Sequence, residues 1–154
     1  MKSKHLKLDQ IDREILKELR LNCRRSYREL AKAISISPAA LIERMKQLEK
    51  EEYILGYTAN INFLKLGYEF MGVVQISISH GALLDVQEKI SKLPGVAAVY
   101  DITGAYDSEA LVMCKSRAEL SALIKKILKI PNVEKTNTNM VLNVMKDIYQ
   151  FEGV

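Results

Sequence analysis

Residues 8–50 repeat apolar side chains at the three- and four-residue intervals of α-helices, in three short segments. The first segment begins after Asp9, a predicted N-cap. The second begins at Ser26, which forms a capping-box pattern with Glu29 three residues later. The third begins at Ser37, an N-cap residue followed by Pro38 at the first helical position. The sequence therefore predicts three helices, each with its own start signal.

The connection between the second and third predicted helices is about three residues long, which is the spacing of a helix-turn-helix. Burying the apolar stripe of the third helix leaves small and charged residues facing outward, where a DNA groove could meet them. Arginines surround the start of the second helix and suit contacts to phosphate groups, helped by the positive end of that helix. The predicted DNA-binding residues are Arg24, Arg25, Ser26, Tyr27, Arg28, Ser37, Pro38, Ala39, Ala40, Glu43, Arg44 and Lys46.

Residues 55–62 alternate in polarity and are rich in β-forming residues, so we expect an extended linker strand. A short hinge that ends at Gly67 follows it. The predicted domains are residues 1–61, the helix-turn-helix with its linker strand, and residues 62–154.

The second half of the chain alternates between the period of strands and the period of helices. The predicted order is strand, helix, strand, strand, helix, strand, with the strands at residues 70–79, 96–103, 109–114 and 133–144. A capping box, Ser116 with Glu119, starts the second helix. The run Lys-Leu-Pro-Gly-Val at 92–96 recurs 37 residues later as Lys-Ile-Pro-Asn-Val at 129–133. Each run ends a helix at a proline and starts a strand, so the pattern favours a ferredoxin-like βαββαβ domain and an α+β chain.

A four-stranded sheet with helices on one face leaves its other face uncovered. A second copy of the chain usually covers such a face, so we expect a homo-oligomer.

Charge is distributed unevenly between the two halves. Residues 1–60 hold 13 Lys and Arg against 9 Asp and Glu, whereas residues 61–154 hold 10 of each. The excess positive charge therefore lies with the predicted helix-turn-helix, which favours binding to a polyanion. No apolar run is long enough to span a membrane and no signal peptide is evident, so we expect a cytoplasmic protein without a membrane partner.

Residue patterns of enzymes and metal sites are missing from the sequence. Cys23 and Cys114 have no paired spacing, and both are expected to be free thiols. The two histidines, His5 and His80, stand apart from any catalytic grouping, and no glycine-rich phosphate loop occurs. The sequence predicts neither an enzyme nor a cofactor or metal site.

Two segments could bind a small ligand. Gly104 allows close approach of the backbone, and Asp107 in the same turn could pair with an amino group. On the last strand, alternation places the hydroxyls of Thr136 and Thr138 on one side. The predicted effector-binding residues are Gly104, Ala105, Tyr106, Asp107, Thr136 and Thr138.

The N-terminal pattern resembles the opening of the Lrp/AsnC (feast/famine) transcription regulators. The matching positions are Leu8-Asp9, Asp12, Ile15-Leu16, Leu19, Asn22, Arg24, Ser26, Glu29-Leu30-Ala31, Ile36-Ser37, Leu41, Arg44, Leu48-Glu49, Ile54 and Gly56-Tyr57. The chain departs from the family at Ser35 and Glu52, where the family usually has glycine. Without glycine at 52 we expect the third helix to lack its left-handed C-cap and to exit at a different angle.

The resemblance extends to the C-terminal half, which is similar to the family's amino-acid-sensing RAM domain, a relative in shape of ACT domains. It implies a linker strand that pairs with a second subunit, and an effector pocket between dimers around the 103–107 turn and the last strand. The expected partners are thus double-stranded DNA, further copies of the chain up to an octamer or other higher oligomer, and an amino-acid effector.

These features predict a regulator that binds repeated operator half-sites under the control of a small effector. Two alternatives stay open at this point. One is an architectural protein that wraps DNA with little sequence preference, which the plain Ala39 and Ala40 surface favours. The other is an amino-acid-binding regulatory subunit of an enzyme, in which the helices dock protein instead of DNA.

Overall fold

The computed structural model describes residues 8–79, 81–151 and 153. The contacts divide the chain into two units, one formed by residues 1–60 together with 148–154 and the other by residues 61–147. His5 and His80 lie outside the described residues. No helix in the described ranges has the length and apolar character needed to cross a bilayer.

Three helices form the first unit: α1 (Gln10–Leu21), α2 (Tyr27–Ala33) and α3 (Pro38–Lys50). All three predicted N-caps are confirmed. Asp9 and Ser26 each close a reciprocal capping box, and the hydroxyl of Ser37 accepts a hydrogen bond from Ala40 N–H. The apolar stripes of the three helices pack together into one core, formed by Ile15, Leu30, Ala31, Ile34, Leu41, Met45 and Leu48.

Helices α2 and α3 end in the same way. Ser35 and Glu52 both adopt left-handed backbone conformations, with φ of 58° and 59°. Ile36 N–H donates to the carbonyl of Ala31 at 3.0 Å, and Tyr53 N–H donates to that of Leu48 at 2.9 Å. These bonds close a Schellman motif at each helix end. The expectation that α3 would lack a left-handed cap was therefore wrong, since Glu52 adopts the conformation itself.

The linker after α3 was expected to form a strand, but residues 54–62 contain none. A strand needs a hydrogen-bonded neighbour, and no described segment of this chain pairs with these residues. In the segment predicted as a hinge, Leu64–Leu66 form a short 3₁₀ helix, and Gly67 ends it in the left-handed conformation at φ 88°.

The second unit is a four-stranded antiparallel sheet with two helices. Its strands are β1 (Phe70–Ile78), β2 (Val96–Asp101), β3 (Ser108–Cys114) and β4 (Val133–Met140), in the spatial order β2-β3-β1-β4. Its helices are α4 (Leu83–Ser91) and α5 (Arg117–Leu128). Order and connections are those of the predicted ferredoxin-like βαββαβ fold.

The helices of this unit cover one face of the sheet. Val74 and Ile76 of β1 and Ala110 and Val112 of β3 are fully buried on that side, in a core with residues of α4 and α5. The intervening positions of β3, including Leu111 and Met113, are only half-buried on the opposite face.

The repeated proline runs have the predicted role at both sites. Lys92 and Lys129 are the C-caps of α4 and α5, and β2 and β4 begin four residues later in each case. The capping box predicted at α5 is only half formed. The hydroxyl of Ser116 accepts from Glu119 N–H at 3.1 Å, but the Glu119 carboxylate accepts from the backbone of Lys115 instead.

The last described residues return to the helical unit. A short 3₁₀ helix, Ile148–Gln150, lies beside an apolar groove whose walls include Leu16, Leu19 and Tyr53. The guanidinium of Arg20 donates to the carbonyl of Tyr149 at 3.3 Å. By contacts these residues group with the helices, although the predicted domain limits place them in the C-terminal domain.

Candidate DNA-binding surface and effector site

The exposed side of α3 is the first candidate surface. Ala39, Ala40, Glu43 and Lys46 are exposed, as predicted from the apolar stripe. Lys46 and Glu43 form an ion pair of 3.1 Å between exposed side chains, which contributes little to stability. The ammonium group of Lys46 is therefore available to a phosphate that competes for it.

The start of α3 is open to a negatively charged ligand. Ser37 caps the helix, Pro38 occupies its first position, and its first turn contains no acidic residue. Because the N-terminal end of a helix carries partial positive charge, a phosphate or a base edge can approach there, and the methyl groups of Ala39 and Ala40 leave room for it.

The start of α2 is different. The Glu29 carboxylate accepts hydrogen bonds from Ser26 N–H and from the Ser26 hydroxyl, both at 2.8 Å. These bonds hold the pKa of Glu29 below its usual range. A carboxylate therefore already lies at the helix end that was predicted to bind phosphate.

The predicted phosphate-binding arginines fall into two groups. Arg24 and Arg28 are exposed and form no ion pair within the described residues, and Tyr27 beside them is also exposed. Arg25 is half-buried and pairs with the Glu18 carboxylate. Arg24 and Arg25 line an open depression together with Lys32, a basic residue that the sequence analysis did not select.

Arg44, also predicted to contact DNA, has two carboxylate partners within the helical unit. Its Nη1 lies 2.7 Å from Asp9 Oδ2 and 2.7 Å from Asp12 Oδ1. Asp12 falls on the apolar stripe of α1 with Ile15 and Leu19, and a charged residue at such a position signals a buried partner. That signal was present in the sequence, but it does not identify the partner.

The second candidate site is the turn between β2 and β3. Two hydrogen bonds join Asp107 to β1, one through its backbone and one through its side chain. Its N–H donates to the carbonyl of Ile76 at 3.0 Å, and its carboxylate accepts from Ile78 N–H at 2.8 Å. Gly104, at φ 127°, and Ala105 are exposed at the tip of the turn. The turn therefore holds Asp107 in a fixed position at the end of the sheet.

The threonines of β4 share one side of the strand, as predicted. Thr136 pairs with Ile76 and Thr138 with Val74, so both half-buried side chains lie on the helix-covered face. Tyr106 instead meets Lys135, whose ammonium lies 5.2 Å from the ring centre. Lys135 precedes Thr136 and lies on the opposite face, so the predicted residues approach this end of the sheet from two sides.

Lys135 could not be selected from the sequence, because nothing in its spacing marks it. In the described ranges, no three His, Cys, Asp or Glu side chains are grouped closely enough to hold a metal ion.

In comparisons with known proteins, two family models match this chain. A winged helix-turn-helix DNA-binding family model matches residues 8–54, and the model of the Lrp/AsnC ligand binding domain matches residues 71–151. An uncharacterised HTH-type transcriptional regulator of Pyrococcus furiosus is 33% identical over 147 residues, which cover 96% of this chain and 99% of the relative.

Solved structures agree in fold. The structure of Escherichia coli AsnC is similar with a TM-score of 0.85 and 31% identity, over 94% of this chain and 99% of that one. The L-Met complex of a transcriptional regulator from Neisseria meningitidis is similar with a TM-score of 0.86 and 24% identity, over 92% of this chain and 94% of that one.

Proposed function

Because the chain belongs to the Lrp/AsnC family of DNA-binding transcriptional regulators, which are not enzymes, we propose that it binds repeated operator half-sites as a dimer or larger oligomer, under the control of an amino-acid effector. The observation that carries the proposal is the pairing of two features. One is a DNA-reading helix whose start is small, exposed and free of acidic residues. The other is a sheet whose second face is not covered by the described helices of its own unit. A protein that acts on DNA in this way works in the compartment that holds the DNA, which we propose is the cytoplasm.

The proposed DNA contacts are divided between reading and clamping. Residues 37–40 and Lys46 of α3 approach the groove, while Arg24 and Arg28 clamp phosphates beside it. If this is correct, Lys46→Ala and Arg28→Ala each lower DNA affinity and reduce the slope of log K against log salt by about one unit. Lys125→Ala on α5 is the control, since it removes the same charge from an exposed position of the other unit. Equal effects of all three changes would contradict the proposed surface.

Assembly is proposed to use the uncovered face of the sheet. Leu111 and Met113 lie at its centre and are half-buried in the single chain. Covering their apolar surface with a second copy stabilises the assembly by about 25 cal/mol for each Å² that is buried. Leu111→Lys should shift the mass measured by light scattering to that of the monomer. Leu128→Lys, at an exposed apolar position of α5, is the matched control and should leave the mass unchanged. A Leu111→Lys variant of unchanged mass would refute this interface.

Assembly implies repeated half-sites in the operator, because a dimer presents two copies of the reading helix and each copy binds one half-site. Half-sites should be spaced by about one helical turn, 34–36 Å, or a multiple of it. Footprinting on selected operators tests the spacing, and a footprint over a single half-site would contradict it.

An amino acid is the proposed effector because the C-terminal domain is of the family's ligand-binding type, and a protein of the same fold was crystallised with L-Met. Asp107 is the proposed partner of the amino group. Since its carboxylate also accepts from Ile78 N–H, Asp107→Ala removes both a charge and a structural bond. Asp107→Asn removes the charge but keeps an acceptor, so it isolates the binding role.

The test is a thermal-shift screen of the common amino acids, followed by calorimetry with Asp107→Asn. We expect one amino acid or a few related ones to raise the melting temperature of the parent protein and not that of the variant. If no amino acid changes melting or assembly, the sensing role is refuted.

The architectural alternative is favoured by one specific observation. The exposed start of α3 offers methyl groups in place of hydrogen-bonding side chains, so base reading there has few donors. An operator bound no more than about tenfold more tightly than random DNA at ~150 mM salt would favour this alternative. The similar proteins are HTH-type transcriptional regulators, which favours DNA over the protein-docking role of an enzyme subunit.

A further inference from the structure

Arg44 forms ion pairs with two carboxylates, whereas Arg25 and Lys46 each pair with one. Both of its bonds are made by Nη1, to Asp9 at 2.7 Å and to Asp12 at 2.7 Å. The partners lie 35 and 32 residues away in sequence, at the start of α1, whereas Arg44 is in the middle of α3. The arginine therefore joins two helices that are far apart along the chain.

The two carboxylates have a second role at the same place. Asp9 Oδ1 accepts from Asp12 N–H at 2.9 Å, and Asp12 Oδ2 accepts from Asp9 N–H at 3.1 Å, which is the capping box of α1. Each carboxylate thus uses one oxygen to start α1 and the other to hold Arg44. The side chain of Arg44 completes the hydrogen bonding of the box.

Moving Arg44 to DNA would break this arrangement. Asp12 is only 6% exposed, so loss of the guanidinium would leave a buried carboxylate without its cation. The ionised forms of Asp9 and Arg44 are also favoured: the Asp12 N–H and the Arg44 guanidinium hold the pKa of Asp9 below its usual range, and the two carboxylates raise the pKa of Arg44.

We propose that Arg44 is a positioning residue, which holds the middle of the reading helix α3 against the start of α1 and makes no contact with DNA. The inference rests on the proposed function, in which α3 enters the DNA groove. It assigns Asp9 and Asp12 a part in DNA binding, although both are acidic and neither can bind a phosphate.

The test compares variants of the full-length protein in DNA titrations at several salt concentrations. Arg44→Met should lower DNA affinity about tenfold, which is the size of effect expected for the loss of one base contact. The slope of log K against log salt concentration should stay unchanged. A direct phosphate contact would instead reduce the slope by about one unit. Such a reduction would overturn the proposal.

Asp12→Asn separates the two roles further, because it removes a negative charge and releases Arg44. A positioning role predicts lower affinity at an unchanged slope. Higher affinity with a steeper slope would show that Arg44 is a DNA contact restrained by Asp12, and would overturn the proposal. Glu14→Gln is the matched control, since it removes one negative charge from α1 at a residue whose described partner is Gln10 and not Arg44.

The double variant Arg44→Met/Asp12→Asn should lose no more affinity than the more affected single variant, because both changes break the same link. Additive losses would contradict a shared link. If circular dichroism shows that Asp12→Asn unfolds the helices, Asp9→Asn replaces it, since the Asp9 side chain is 50% exposed and its loss leaves the core intact.

The two proposals fail in different ways. If Lys46→Ala and Arg28→Ala weaken binding with a smaller slope while Arg44→Met and Asp12→Asn have no effect, the positioning role alone is refuted. If none of the four changes affects binding, the proposed DNA surface is refuted as well.

Discussion

The left-handed ends of α2 and α3 are the basis of a quantitative prediction. Ser35 at φ 58° and Glu52 at φ 59° occupy positions that glycine adopts without a steric penalty. Each closes a Schellman motif through backbone groups alone, so a side chain at these positions is not needed for the cap. Ser35→Gly and Glu52→Gly should therefore stabilise the helical unit.

The magnitude follows from two opposing terms. A residue with a Cβ atom costs about 1–2 kcal/mol in the left-handed conformation. Glycine avoids that cost but loses roughly 0.5–1 kcal/mol more conformational entropy on folding. The expected net gain in the free energy of unfolding is about 0.5–1 kcal/mol at each site. The two caps share no hydrogen-bond partner, so the double variant should gain about 1–2 kcal/mol.

Urea denaturation followed by circular dichroism at 222 nm measures the gain as a higher midpoint with an unchanged m-value. Thermal unfolding should show a rise of about 4–8 °C for each kcal/mol, since the unit is about 60 residues long. Ser35→Ala and Glu52→Ala are the controls. They remove the polar side-chain atoms but retain Cβ, so no gain is expected from them.

Two results would refute this reasoning. If the alanine variants gain as much as the glycine variants, the original side chains destabilise the protein for a reason other than backbone conformation. If the glycine variants are less stable than the parent, the entropy of the unfolded chain outweighs the strain at these caps.

Three further predictions concern the rest of the chain. Gly95→Ala should lower the free energy of unfolding by at least about 1 kcal/mol, because residue 95 has φ 90° and the new Cβ would lie 3.2 Å from Met113 O. Asn132→Gly, at the equivalent position of the second proline run with φ 72°, should not destabilise the unit. With Ellman's reagent, the exposed Cys23 should react in the native protein and the buried Cys114 only after unfolding. Burial, and then the Glu119 charge, raises the pKa of the Cys114 thiol, so less of the reactive thiolate is present. Rapid reaction of both thiols in the native protein would contradict this. The pKa of Asp9 is lowered by folding, so this group contributes stability that is fully present above pH 3.8, its ordinary pKa, and is lost as the pH falls through the lowered pKa. The urea midpoint of the helical unit should therefore drop below about pH 4, and it should drop less in Asp9→Asn. Equal acid profiles of the two proteins would refute the contribution.

Signals that act over a few residues predicted most of this fold. The caps at Asp9, Ser26 and Ser37 each bond within three residues, so the sequence alone contains the complete interaction. The two proline runs work in the same way, because a proline constrains its immediate neighbours whatever the rest of the chain does.

The sequence was less informative where the structure of a residue depends on a partner that is distant in the chain or belongs to another molecule. The carboxylate partners of Arg44 precede it by more than 30 residues, so the sequence did not reveal them, and the prediction of a DNA contact at Arg44 was made without them. The linker at 55–62 has the composition of a strand, but a strand forms only beside a hydrogen-bonded neighbour, and the described residues of this chain provide none. At Glu52 the mistake was to treat a preference for glycine as a requirement, although the cap bonds offset the strain.

The candidate effector site shows the same limit. Alternation placed Thr136 and Thr138 on one side of β4, but only the pairing with Val74 and Ile76 shows that this side is covered by helices. The position of Lys135 over the ring of Tyr106 depends on how the turn folds back, and no local pattern contains that information.

The return of residues 148–151 to the helical unit has a practical consequence for dividing the protein. In terms of chain connectivity the sheet unit is an insertion, since the helical unit has segments on both sides of it. A fragment that stops at residue 60 omits Tyr149 and with it the carbonyl partner of Arg20, and it bares the groove beside Leu16 and Tyr53. A minimal DNA-binding fragment should therefore join residues 8–60 to residues 148–151 through a flexible linker.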